Sequence, residues 1–212
     1  MQLPTFGQAG HTLTIIAAQN PNRGHLKALH DGPLTDLVQS IMQGTLPDRE
    51  ALRKFLGLGP LKKVLLIDYD MSLEEMIAAG RYDSKNDNLN SKNYPVIGEG
   101  KVEFEWDLVH PNRDISTADA HKETAKDSDP ANPWMDAKTE HLLAFGAAYP
   151  EEQQKFPIVA LGSVAGVDGV RRVPGLDKDG SERGLGLGWY ENVWNAGCRF
   201  LRVRKASPPA AA

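Results

Sequence analysis

A chain of 212 residues with 41% hydrophobic and 25% charged side chains can bury a core and has the composition of a globular protein. Its formal net charge of −4 lacks the basic surplus of a nucleic-acid-binding surface, so no nucleic-acid partner is expected. The one cysteine, Cys198, excludes an internal disulfide, and the sequence has no run of about 18 apolar residues that could span a membrane.

The N-terminus shows no charged segment followed by an apolar one, so no secretory signal is expected and the location reads as cytoplasmic or virion-associated. In "LTDLVQSIMQG", Leu34, Leu37, Val38 and Ile41 share one helical face, and Gly44 is a stop. "LPDREALRKFLGLGP" predicts a second helix with Leu52, Phe55 and Leu56 on its apolar side. Residues 1–60 therefore read as a helical N-terminal segment.

The pattern changes near Lys62. "KKVLLIDYD" is a short apolar run suited to a buried strand, and "SLEEMIAAG" a helix with Ser72 as N-cap, Glu75 completing a capping box and Gly80 as C-cap. Residues 83–93 are polar and rich in turn formers, which predicts an exposed loop. In "KVEFEWDLVH", Val102, Phe104, Trp106 and Leu108 alternate with Glu103, Glu105 and Asp107, the period of a half-buried strand. "ISTADAHKETA" opens a helix at Ser116 or Thr117, "DAKTEHLLAFGAAYP" is another helix carrying Leu142, Leu143 and Phe145, and "FPIVALGSV" is an apolar strand. From Gly162 to Lys205 the chain is Gly-rich with short strand signals. Its basic cluster, Arg199 to Lys205, alternates with Phe200, Leu201 and Val203, as a strand with a solvated face would. The last residues, 206–212, read as a tail.

"RGLGLGWYENVW" poses the sharpest question. Gly184, Gly186 and Gly188 alternate with Leu185, Leu187 and Trp189, so a strand here carries every large side chain on one face and none on the other. Glycine within a strand costs about 0.5–1 kcal/mol relative to alanine. The spacing is not G-x-G-x-x-G, since position 189 is Trp, and no P-loop occurs. The alternation makes Leu185, Leu187, Trp189, Trp194, Phe200 and Val203 the expected core and the glycine side solvent-exposed. A turn at Glu191 to Val193 would let both tryptophans point inward.

Other motifs are weak. "DKDGSE", Asp177 to Glu182, has the look of a calcium-loop fragment but lacks the ligand set and flanking helices of an EF-hand, and reads as a turn. The histidines His11, His25, His30, His110, His121 and His141 have no metal-site spacing. No metal, cofactor or catalytic residue is expected.

The order of "VHPNRD", "ISTADAHKE", "DAKTEHLLAFGAAYP" and "GCRFLRVRK" resembles the C-type lectin fold of formylglycine-generating-enzyme-like domains. Those domains carry a "V-S-x-x-D-A" helix start, a "T-E-x-E-W-E-x-A" helix and a terminal "G-F-R" strand. The similarity spans about Lys101 to Lys205. It implies an α+β protein with a C-type lectin-fold domain over 61–205, following the helical segment. Within that fold the sequence looks like the variable proteins of diversity-generating retroelements. In these, mutagenesis of template adenines turns AAY codons into codons for many residues, though never Lys, Glu, Gln, Met or Trp.

The resemblance implies a variable region at about 162–198. Its candidate ligand-binding positions are Ala165, Gly166, Val167, Asp168, Val170, Gly175, Gly184, Gly186, Gly188, Asn192, Val193, Asn195, Ala196, Gly197 and Cys198. It further implies non-catalytic binding of a protein or other macromolecular ligand. The formylglycine-generating enzymes are copper oxidases that use a pair of cysteines, and this chain has one. The calcium motifs of sugar-binding lectins are missing, since Trp194-Asn195 is followed by Ala196. Two alternatives stand beside this reading: an enzyme on the same fold, with a pocket between residues 83–93 and 165–183, and a structural subunit of a viral particle.

Overall fold

Proline is tolerated in the first turn of a helix, where its missing N–H would have no intrahelical partner. Helix α1 begins there and spans Pro33–Met42. The computed structural model of the protein describes residues 63–206 continuously, and before them residues 33–45 with the isolated positions Gly24, Lys27 and Asp31. The chain divides into two units, Met1–Leu61 and Lys62–Ala212. The apolar face of α1 follows the expected spacing, and Leu37, Val38, Ile41 and Met42 on it are exposed. The helix expected from "LPDREALRKFLGLGP" lies outside the described residues.

The second unit is an α+β assembly. In chain order it contains β1 (Val64–Asp68), α2 (Leu73–Gly80), β2 (Ser84–Lys85), β3 (Lys101–Val109), β4 (Ile115–Ser116), α3 (Thr117–Thr124) and β5 (Met135–Asp136). There follow α4 (Thr139–Ala148), β6 (Ile158–Val159), β7 (Ala165–Val167), β8 (Val170–Asp179), β9 (Glu182–Trp189), β10 (Val193–Trp194) and β11 (Arg199–Lys205). The main sheet runs β1-β3-β11-β6-β8-β9-β2, with β5 added to β11 and β7 to β8. The pairs β11–β6 and β9–β2 are parallel, and the other pairs are antiparallel. A second sheet joins β10 to β4. No helix among the described residues is long and apolar enough to cross a membrane.

Local chemistry explains the helix starts. The Ser72 hydroxyl accepts from the Glu75 N–H at 3.3 Å while the Glu75 carboxylate accepts from the Ser72 N–H at 2.8 Å, which is the expected capping box. The helix does not end on a left-handed Gly80. Arg81 takes that conformation, at φ 49°. Gly80 is instead overlain by the Tyr82 ring, which leaves no space for a Cβ. At α3, Ser116 is the N-cap and accepts from the Asp119 N–H at 3.2 Å. At α4, Ser163 accepts from the Thr139 N–H at 3.0 Å.

Strand alternation gives the main sheet two unlike faces. On the first, Leu65, Ile67, Phe104, Trp106, Ile158, Leu176, Leu185, Leu201 and Val203 meet Leu73, Met76 and Ile77 of α2 and Leu142, Leu143 and Phe145 of α4. Trp106 meets Phe145 edge to face, with centroids 4.8 Å apart. The second face carries a smaller cluster of Ile115, Ala120, Val159, Leu161, Val173, Trp194, Cys198 and Phe200.

Three expectations are corrected here. The polar side of β3 is not simply solvated: Glu105 is buried and paired with Arg204, and Asp107 with Arg202, while both arginines stack over Trp134. Within "FPIVALGSV" only Ile158–Val159 is strand, since Leu161 and Gly162 turn away. Residues 83–93 are not all exposed loop: Ser84–Lys85 extends the sheet edge beside Gly184 and Leu185, and Leu89 is buried.

Candidate functional site

The blank strand becomes a floor. In the β8–β9 hairpin, Val173 lies opposite Gly188, Gly175 opposite Gly186, and Asp177 opposite Gly184, all on the second face of the sheet. Leu176 opposite Leu185 and Pro174 opposite Leu187 take the first face. Gly175, Gly186 and Gly188 thus line a groove together with Val159, Val173, Asp177, Trp194 and Cys198. Its volume is about 150 Å³.

The glycine side is therefore not open to solvent along its whole length, as alternation alone suggests. Gly184 is buried under the Asp177 carboxylate, and Gly188 faces the six-membered ring of Trp194, where a Cβ would lie 2.7 Å from Cη2. Gly186 is the roomy position, since a Cβ there would find its nearest neighbour, Asp177 Oδ2, at 3.8 Å. At Gly175 a Cβ would touch the Ile158 carbonyl oxygen at 3.4 Å.

The inward residues divide as well. Leu185, Trp194, Phe200 and Val203 are buried, and Leu187 is partly so. Trp189 is 57% exposed, against the expectation that both tryptophans would be core. It shares the parity of Leu185 but sits at the end of β9, opposite Arg172, whose guanidinium lies 5.2 Å from its ring centroid.

The remaining candidate positions separate by burial. Gly166, Asp168, Val170, Asn192, Val193, Asn195 and Gly197 are exposed and Ala196 is half-buried. Asp168 lies in the β7–β8 turn with Gly166 and Val170 in the strands beside it, Asn192, Asn195, Ala196 and Gly197 lie in the turns before and after β10, and Val193 lies in β10 itself. Ala165, Val167 and Cys198 are buried, so these three do not stand on an exposed face. Ala165 and Val167 pair with β8 at Arg172 and Val170 and point into the first core. Asp168 and Gly169, at φ 52° and 78°, form the Asp-Gly loop of a type I′ hairpin, a conformation that restricts position 168 to Asn, Asp or Gly. In the β8–β9 hairpin, Gly180 at φ 59° supplies the corresponding turn residue, so "DKDGSE" is a hairpin tip.

A hydrogen-bond chain that the sequence does not announce fixes the Trp194 wall. Trp194 Nε1 donates to Thr117 Oγ1 at 2.9 Å, and Thr117 Oγ1 donates to the Tyr190 carbonyl. The Tyr190 hydroxyl lies 3.0 Å from His121 Nε2, and His121 Nδ1 lies 2.6 Å from Asp136 Oδ2. Thr124 Oγ1 donates to the other Asp136 oxygen at 2.5 Å. Arg171 stacks 4.3 Å from the Tyr190 ring centroid and bonds Glu191 at 2.5 Å. These partners come from α3, β5, β8 and the β9–β10 turn, so four elements fix the position of the wall.

The electrostatics of the groove are one-sided. Burial, and then the charge of Asp179, raise the Asp177 carboxyl above its ordinary range. Burial also raises the Cys198 thiol, which keeps it protonated and poor as a nucleophile. Among the described residues, no three His, Cys, Asp or Glu side chains are grouped so as to hold a metal ion. A separate cavity of about 350 Å³ is lined by Glu74, Ile77, Arg81, Tyr82, Leu89 and neighbours from α2 and 81–90, and takes nothing from 165–183. The chain matches no protein-family model, no curated protein and no solved structure.

Proposed function

We propose that this protein is a non-catalytic recognition protein. In this reading residues 61–205 have the C-type lectin fold, and the C-terminal face of that domain is varied by retroelement mutagenesis to bind different macromolecular ligands. One observation carries the reading: a groove floored by Gly175, Gly186 and Gly188 beside a Trp194 ring that a hydrogen-bond chain holds in place. A strand that gives up side chains on one face loses packing and backbone rigidity, and a site for a ligand group explains that loss. The exposed positions Asn192, Val193, Asn195 and Gly197 border the same wall through Trp194, and their exchange would change specificity while leaving the first core intact.

The fold sets limits on such exchange. Gly186 has room for a side chain, Gly184 accepts one only if the flexible Asp177 carboxylate moves, and Gly188 does not accept one while Trp194 stays in place. The test is the DNA flanking the gene. The reading expects an adenine-rich near-copy of its 3′ end beside a reverse transcriptase, with adenines at the codons of the exposed positions. A flank with neither removes the diversification from the proposal.

A further inference from the structure

The groove is the size of one side chain. Its 150 Å³ would hold about five waters at liquid density, whereas pockets for drug-sized ligands run to about 300–1,000 Å³. Its chemistry changes along its length. At the β10 end it is apolar, with Trp194, Val173, Val159 and the protonated Cys198. Toward the hairpin tip the alternation places Asp177, Asp179 and Glu182 on this face, and Lys178 and Arg183 on the other.

Asp177, Asp179 and Glu182 are exposed at the surface, and none of the three carboxylates has a hydrogen bond or an ion pair among the described residues, although the protein pairs many of its surface acids, such as Asp107, Asp119, Glu123, Glu152 and Glu191. Arg183, one residue after Glu182, turns away to donate to the carbonyls of Gly80 and Gly146. The Asp177 oxygens lie directly over the floor, against Gly184 and within 3.8 Å of the Gly186 Cβ position. A neutral apolar group seated here would desolvate that carboxylate without compensation, and an anion would be repelled by all three. A group with an alkyl stem and a positive end matches both halves of the groove.

We infer that the groove receives a lysine or arginine side chain of a protein ligand, with its methylenes on the glycine floor against Trp194 and its cation on Asp177. This rests on the recognition reading above and names the chemistry of what is recognised. Asp179 and Glu182 extend the negative field to the tip and would steer a basic segment toward the groove.

The probe is lysine capped as its N-acetyl methylamide, compared with identically capped norleucine, which keeps the chain and lacks the ammonium. The readout is the 15N-resolved amide shifts of Gly184, Gly186 and Gly188. Capped lysine should move these amides saturably, and capped norleucine should bind at least tenfold more weakly. Asp177→Asn should weaken the lysine probe about tenfold, and Gly186→Val, which fills the groove at its roomy position, should abolish the response with the rest of the spectrum unchanged. Equal binding of the two probes would overturn the cationic inference and leave the recognition groove standing. Shifts that ignore both variants and spread over the acidic surface would reduce the effect to general attraction by a chain of net charge −4 and overturn it as well. If neither probe moves the glycine amides, the groove is not a ligand site and both readings fall.

Discussion

The two faces of the sheet use the same alternation for opposite ends. On the first, successive inward positions Leu185, Leu176, Ile158, Leu201, Trp106 and Phe104 are large and buried under α2 and α4. On the second, the positions between them include Gly184, covered by the Asp177 carboxylate, and Gly175, Gly186 and Gly188, which floor a groove walled by the ring of Trp194. The groove of about 150 Å³ over Gly175, Gly186 and Gly188 is left unfilled by side chains, unlike the close-packed first face. The first face carries the larger buried cluster, and the second a smaller one beside the groove.

The largest losses are expected on the first face. Phe145 is fully buried in α4 against Trp106 and Tyr149, and Phe145→Ala should cost about 3–5 kcal/mol in chemical denaturation. Gly186→Ala, on the other face, should change stability by no more than about 1 kcal/mol. Comparable losses at the two sites would erase the distinction.

A titration on the first face sharpens it. His141 is buried beside Phe104, its Nδ1 accepts the Lys138 N–H at 2.9 Å, and burial lowers its pKa from 6.5 to about 4. The unfolded chain therefore takes up a proton below about pH 6.5 that the folded chain refuses until about pH 4. The stabilisation is complete above pH 6.5 and is lost as pH falls through that window, by about 3 kcal/mol in all. Glu140 and Asp177 act in the opposite sense, because burial raises their carboxyls and protonation relieves the fold as pH falls. The difference in unfolding free energy between the wild type and His141→Gln, followed from pH 7 to pH 4, isolates the histidine. A flat difference would mean that His141 is not held neutral.

On the second face, Gly188→Val should cost about 1–3 kcal/mol, because its Cβ position lies 2.7 Å from the Trp194 ring. Thr117→Val removes the acceptor of Trp194 Nε1 and the donor to the Tyr190 carbonyl, and should cost about 1–3 kcal/mol. It should also broaden the Trp194 indole N–H resonance, and a sharp, unshifted resonance would remove that chain from the account of the wall. Trp189→Ala should be the smallest effect, within about 0.5 kcal/mol, since the ring is exposed. A loss of several kcal/mol would show Trp189 covered by a surface that its exposure does not reveal.

Much of the fold was legible where the signal is local. The Ser72–Glu75 box, the Ser116 cap, the β3 alternation and the α4 helix all follow from residues within a few positions of one another. Parity along β9 was legible too, but parity says which residues share a face and not what covers that face. Leu185 and Trp189 have the same parity, and only the reach of the helices makes one 1% and the other 57% exposed. The closeness of Trp194 to Gly188 depends on β10 leaving the main sheet to pair with β4, a long-range event with no sequence period. The His121–Asp136–Tyr190 chain joins residues 15 and 69 positions apart, and nothing in their local sequence marks them. Among the candidate binding positions, Asp168, Asn192, Asn195 and Gly197 in turns and loops came out exposed, while Ala165 and Val167 went inward because a three-residue strand still alternates.

The proposed recognition role requires that the glycine face be empty for a ligand rather than closed for packing, and the melting temperature of Gly186→Val decides between the two. If the space over Gly186 is free, valine enters it without displacing backbone, its β-branched side chain suits the strand, and melting should stay unchanged or rise by a few degrees. If the variant melts well below the wild type, or fails to fold, the glycines are there because the structure closes upon them, and the groove is not a binding site.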